Sequence, residues 1–178
     1  MSRQRYRSAE ERFRRELQRN LLARPGRHAF ILVLDGLKAG FNVAKILRSA
    51  EIFGAREVHL VNIGPFDPAP AKGALRKVPV RRFDSFAESH AELRAAGYRL
   101  FVLESGKRTS LCEAVLPEKT AFVLGHEEFG PSPACRARDD LAGLSIPQFG
   151  ETESLNVSVA AGIVMYEYVR QWKSSSTE

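Results

Sequence analysis

Ile146-Pro147-Gln148-Phe149-Gly150-Glu151-Thr152-Glu153-Ser154-Leu155-Asn156-Val157-Ser158-Val159-Ala160-Ala161-Gly162 is the stretch on which the fold turns. It reads as a strand end, a polar loop containing a glycine, and the start of a helix. Ser154 and Asn156 stand where the first free backbone N–H groups of that helix need acceptors, and both residue types supply them. Downstream, Leu155, Val157, Val159, Ile163, Val164, Met165, Tyr166, Tyr168, Val169 and Trp172 point in nearly every direction around a wheel of about 3.6 residues per turn. A helix that is apolar all round is covered all round. In a chain of 178 residues one sheet covers one of those faces, and a second copy of the chain is the simplest cover for the other. The polar loop at the helix start is then either a ligand site or only the cap of a core helix, and this stretch alone leaves both readings open.

Upstream, the pattern is one of short apolar runs alternating with helical segments. Ala29 to Leu34 is a continuous apolar run suited to a buried parallel strand. Glu57 to Val61, a short strand within the basic stretch around residues 76–82, Leu100 to Leu103, Ala121 to Leu124 and Leu144 to Ile146 follow as strands. Between them, Asn42 is expected to cap a helix running to Phe53 and stopped by Gly54, with Val43, Ile46, Leu47, Ala50 and Phe53 on its core face and Lys45 and Arg48 turned away. Asp84 to Ala96 reads as a helix closed by Gly97, and Thr109 to Val115 as a short helix. Alternating strands and helices predict an α/β fold: a mainly parallel sheet with helices on both faces. Ligands in such sheets bind beyond the carboxyl ends of the strands, where the polar loops 35–42, 125–130 and 147–154 lie.

The net charge is concentrated at one end. Residues 1–28 hold nine Arg against three acidic residues, a surplus of six, while the remaining 18 basic and 18 acidic residues cancel. Within this segment residues 8–23 read as a helix opened by a capping box, Ser8-Ala9-Glu10-Glu11, with a stripe of Phe13, Leu17, Leu21 and Leu22 and with Arg12, Arg14, Arg15 and Arg19 on other faces. Arginine-rich segments bind polyanions through phosphate contacts, which points to nucleic acid. The chain divides into a basic helical extension, residues 1–28, a single domain, 29–173, and a frayed tail, 174–178. No apolar run reaches the ~20 residues of a membrane span, and no secretory leader is visible. Cys112 and Cys135 have no metal-like spacing, and His28, His59, His90 and His126 are scattered, so thiols in a reducing, cytoplasmic setting and no metal are expected.

Familiar site motifs are missing: no Gly-x-Gly-x-x-Gly after the first strand, no phosphate-binding P-loop, no nucleophile elbow. What remains is Asn42-Val43-Ala44-Lys45-Ile46-Leu47-Arg48-Ser49-Ala50 with Phe53-Gly54-Ala55; Leu124-Gly125-His126-Glu127-Glu128-Phe129-Gly130; and Ile146-Pro147-Gln148 continuing to Ser154-Leu155-Asn156-Val157-Ser158. In this order they resemble the three motifs of the SpoU, or TrmH, family of RNA ribose methyltransferases, over about residues 29–172. The resemblance implies a SPOUT-like sheet whose C-terminal part is tied in a trefoil knot, a homodimer, and methyl transfer from S-adenosylmethionine to a ribose 2′-hydroxyl of tRNA or rRNA. A non-catalytic RNA-binding protein of the same fold is the other reading. It further implies Arg48, Asn42, Glu127, Ser154 and Asn156 as the catalytic set and the backbone of Gly125, Ile146 and Leu155 as the cofactor's holders. Relatives often have Pro before the Asn42 region and Met in place of Gln148. Many also carry a separate RNA-binding domain. Here Arg12, Arg15 and Arg19 would serve that end, with Arg76 and Lys77 as a second contact.

Overall fold

The computed structural model describes residues 3–105 and 109–174. Among them seven strands form one sheet in which every pairing is parallel. In chain order the elements are α1 (Arg3–Asn20), β1 (Ile31–Asp35), α2 (Phe41–Ile52), β2 (Glu57–Val61), β3 (Val80–Phe83), α3 (Phe86–Ala95), β4 (Arg99–Leu103), β5 (Thr109–Ser110), β6 (Thr120–Gly125), α4 (Pro133–Arg136), β7 (Ala142–Ser145) and α5 (Val157–Ser174), with two 3₁₀ turns at Ala69–Ala71 and Ala74–Arg76. The strand order is β3-β2-β1-β6-β4-β7-β5. Because all strands run the same way, their carboxyl ends share one edge; Asp35 pairs with both Val61 and Gly125 there.

The unbroken apolar run of β1 follows from burial on both sides. Side chains alternate across a strand. Leu32 and Leu34, with Phe30, belong to the core under α2 and α5, beside Ile46, Leu47, Val164, Met165 and Tyr168. Ile31 and Val33 belong to the core on the other face, beside Phe86 and Leu93 of α3. Tyr168 is buried against Phe30, with 4.8 Å between ring centroids, and its hydroxyl donates to the Glu118 carbonyl at 2.6 Å. Also on the α3 face, buried His59 is satisfied at both ring nitrogens, by Ser89 Oγ at 2.7 Å and Glu57 Oε1 at 3.0 Å.

Four expectations change. α1 begins well before Ser8, so the expected capping box lies inside the helix, and it ends at Asn20 rather than near residue 23. Phe13 is buried, but Leu21 and Leu22 are 86 % and 85 % exposed, because the chain leaves the helix just before them. The buried place at that end belongs to Asn20. Its Nδ2 donates to the carbonyls of Leu75 and Val78 at 2.5 and 2.6 Å, and its Oδ1 accepts from Val80 N at 3.0 Å. Thr109–Ser110 is a strand, paired in parallel with β7, where a helix was expected. α5 extends through Ser174, and the remainder of the expected tail lies outside the described residues.

The Asn20 amide thus fixes the basic helix to the segment leading into β3. Asn20→Ala is expected to cost about 1–3 kcal/mol in urea unfolding, since two buried carbonyls and one N–H lose their partner. An unchanged midpoint would mean that Phe13 alone holds the helix.

Candidate active site

Beyond the carboxyl ends of β4, β6 and β7 lies a cavity of about 1000 Å³. Its walls come from the ends of those strands, from the turn 125–131, and from the loop and first residues leading into α5. Gly125, Ile146 and Leu155 line it, as do Glu127, Ser154 and Asn156. The turn after β6 is tight. A Cβ on Gly125 would sit 2.2 Å from Pro131 N and 2.3 Å from the Gly130 carbonyl carbon, so only glycine lets the chain fold back there. His126 and Gly130 exchange backbone hydrogen bonds at 2.9 and 2.8 Å, with Gly130 at φ +69°.

That turn carries Glu127 to the neighbouring loops. Asn42 Nδ2 donates to Glu127 Oε1 at 3.0 Å, and the Lys38 backbone N–H donates to Glu127 Oε2 at 3.1 Å. Asn156 Nδ2 donates to Asn42 Oδ1 at 3.3 Å. One side-chain amide therefore touches the loops after β6 and β7 from the start of α2. Lys38 Nζ also pairs with Glu128 at 3.2 Å. Burial opposes the charge on Glu127, but the donors from Asn42, its own backbone and Lys38, with His126 nearby, outweigh it and hold the carboxyl below its ordinary value.

Asn42 was expected to cap α2; instead Gly40 precedes the first turn, without a side-chain cap, and the Asn42 amide reaches across the loops. Asn156 does cap α5, its Oδ1 accepting from Ser158 N at 2.9 Å and Ser158 Oγ at 2.6 Å. Ser154 lines the cavity, is exposed, and makes no side-chain hydrogen bond among the described residues. Arg48 is exposed, stands about 9 Å along the helix axis from Asn42, and does not line the cavity.

Sequence reasoning missed Lys38 and the segment after β4. Leu103, Glu104 and Ser105 form a fourth wall of the cavity, and the signal was present: a polar step directly after an apolar run, as at the other strand ends. It also missed α4, which backs the site. Ser132 N donates to buried Asp35 at 2.9 Å and Ser132 Oγ accepts from Cys135 N at 3.2 Å. Burial, with Asp35 and Glu104 nearby, pushes the Cys135 thiol up to about 12.

The basic residues form one neighbourhood. Arg15 and Arg19 are exposed on α1, Arg12 pairs with Asp67 at 3.3 Å, and the turn holding Arg76 packs on α1. Lys77 pairs with Glu51 at 3.0 Å. This surface lies by the amino end of β3, away from the cavity.

Fold and site define an α/β protein with a ligand cavity gathered at the carboxyl edge of a parallel sheet. The profile of the SpoU rRNA Methylase family matches residues 29–166, and the chain belongs to that family. It is 37 % identical over 158 residues to 23S rRNA (guanosine-2'-O-)-methyltransferase RlmB of Xylella fastidiosa, covering 86 % of this chain and 63 % of the relative. The chain thus spans a little under two thirds of that relative. Among solved structures, the SpoU methyltransferase AviRb from Streptomyces viridochromogenes in complex with the cofactor AdoMet superposes with a TM-score of 0.71 at 27 % identity, over 84 % of this chain and 62 % of that one. A structure concerned with 2-OH methylation on tRNA superposes with a TM-score of 0.71 at 30 % identity, over 83 % of this chain and 98 % of that one.

Because its folded-state pKa is depressed, the Glu127 carboxylate contributes stability that is present above the unfolded-state value and lost as pH falls through the folded one. Glu127→Gln is therefore expected to melt a few degrees below the parent from pH 7 down to about pH 4.5, with the gap closing as the pH falls further toward about 3. A constant gap over that range would show that the carboxylate charge does not tie the loops.

Proposed function

We propose that the chain transfers the methyl group of S-adenosylmethionine to a ribose 2′-hydroxyl of tRNA or rRNA. The observation that carries this reading is the junction at Asn42, where three short loops far apart in sequence meet beside one cavity. Its volume, about 1000 Å³, is ample for a cofactor, and its walls offer what that molecule needs. Leu103, Leu124, Leu144 and Ile146 give an apolar slot for a purine, while Glu104, Ser105 and Glu153 offer polar partners. Gly125, Ile146 and Leu155 present main chain at the strand ends. When bound, S-adenosylmethionine supplies a sulfonium methyl already activated toward a nucleophile.

The chain's own part is alignment and charge. Asn42 fixes Glu127 and Asn156 relative to one another, so the hydroxyl is received by a site that does not have to reorganise. Glu127 stays ionised and orients cationic or hydroxyl groups. A guanidinium is a poor base, so Arg48 serves by binding a backbone phosphate and stabilising the alkoxide.

Arg48 lies outside the cavity of its own chain, which favours a reading in which it acts at the cavity of a second copy. The outer face of α5 supports such an assembly: Val159 and Tyr166, one heptad apart, are 50 % and 60 % exposed. In this reading the protein is a homodimer, its C-terminal part is threaded as a trefoil knot, residues 29–173 form the catalytic domain, and the setting is cytoplasmic. The basic neighbourhood of Arg12, Arg15, Arg19, Arg76 and Lys77 receives the RNA backbone.

Arg48→Ala is expected to abolish methyl transfer while binding S-adenosylmethionine as the parent does in calorimetry. Mixed with an inactive Asn156→Ala subunit, it should recover about a quarter of parental activity, because half the dimers are mixed and each holds one intact site. No recovery would place Arg48 at its own cavity, and absence of cofactor binding by the parent would leave a non-catalytic RNA-binding protein.

Replacing Arg15, Arg19 and Arg76 with Ala is expected to weaken RNA binding and to lower the slope of log affinity against log salt by about 2–3. A slope unaltered by the triple substitution would remove this surface from the RNA path.

A further inference from the structure

His126 opens the turn after β6 and is absent from the catalytic set above. The backbone N–H groups of Glu128 and Phe129 both donate to its Nδ1, at 3.1 and 3.3 Å. A ring nitrogen that accepts carries no proton, so these two contacts call for the ring hydrogen on Nε2. The ring stacks on Phe129, with 4.7 Å between centroids and 22° between planes. The main chain of His126 closes the turn against Gly130, and the residue lines the cavity. One side chain thus satisfies two donors of the turn that carries Glu127 and also forms part of the wall.

We infer that His126 is a positioning residue: its unprotonated Nδ1 locks the 126–130 turn that presents Glu127 and walls the cofactor cavity, and protonation of the ring releases the lock. The inference rests on the cofactor reading above. A proton on Nδ1 would turn the acceptor into a donor facing two other donors, so both hydrogen bonds would be lost together. The charged groups around the ring come from every neighbouring element. Glu127 and Glu128 share its turn, and Lys38 after β1 is bonded to both. Arg136 of α4 donates to the Phe129 carbonyl, while Glu104 after β4 and Glu153 before α5 line the same cavity. Among these residue types only imidazole ordinarily changes charge between about pH 5 and 8. Asparagine offers a side-chain oxygen that accepts from backbone N–H groups two residues on and does not titrate, so it can replace the lock without its pH sensitivity.

The test compares the full-length parent with His126→Ala and His126→Asn. Long-range nitrogen–proton NMR of the parent at pH 8 is expected to show His126 as the Nε2–H tautomer; the Nδ1–H tautomer would overturn the inference, whatever the protein binds. In calorimetry with S-adenosylmethionine at pH 8, the Ala variant is expected to bind about tenfold more weakly than the parent, with the Asn variant recovering to within about threefold. From pH 8 to 5 the parent should lose affinity relative to the Asn variant. Equal affinity of parent and Ala variant, or parallel pH profiles of parent and Asn variant, would overturn the lock while leaving the cofactor reading in place. Absence of binding by the parent at pH 8 would instead overturn the cofactor reading, and the NMR tautomer would still decide the lock.

Discussion

The Asn42 side-chain amide is the contact on which the site depends. It donates to Glu127 after β6 and accepts from Asn156 before α5, and so uses both of its functions on loops that lie 85 and 114 residues away in sequence. Neither partner could be reached without the parallel sheet. Because β1, β6 and β7 all end at one edge, the loops that follow them are delivered to the same place. An amide is suited to the task because it donates and accepts without changing charge. An acid at residue 42 would set a second carboxylate against Glu127, and an apolar residue would leave that carboxylate with backbone donors only, from Lys38 and from its own residue.

Much of this was legible in the sequence. The apolar run of β1 announced a strand buried on both faces, β2, β4 and β6 were readable as strands, and the two cores explain why alternation was missing from β1. Val43, Ile46, Leu47 and Ala50 were readable as the inner face of α2 from spacing alone. Asn156 was readable as a cap because the helix it opens is unambiguous. Asn42 was not, since a cap and a residue two places inside a helix look alike in sequence, and the cross-loop contacts that decide between them are non-local. Thr109–Ser110 misled for a similar reason: its strand character comes from pairing with Leu144 and Ser145, far along the chain, and from no pattern of its own. Leu21 and Leu22 continued a plausible stripe, but the helix stopped first, because Asn20 took the buried position with three hydrogen bonds that no leucine could make.

The cavity and the cationic groups are distributed differently. The cavity belongs to the β4, β6 and β7 side of the sheet, while the α1 neighbourhood lies by the amino end of β3 and Arg48, exposed on α2, stands outside the cavity. Three of the exposed apolar residues, Val159 and Tyr166 on α5 and Ile52 on α2, sit on the two helices that pack together over one face of the sheet.

The anchoring of α1 has a thermodynamic consequence. A basic arm that folds only on its target spends much of its binding energy on ordering and shows a large negative heat-capacity change. Here Asn20 and Phe13 have already fixed the helix before any polyanion arrives. In the RNA-binding reading proposed above, encounter resembles the docking of two preformed bodies, governed by long-range attraction and the release of condensed ions, with little conformational entropy left to lose on the protein side.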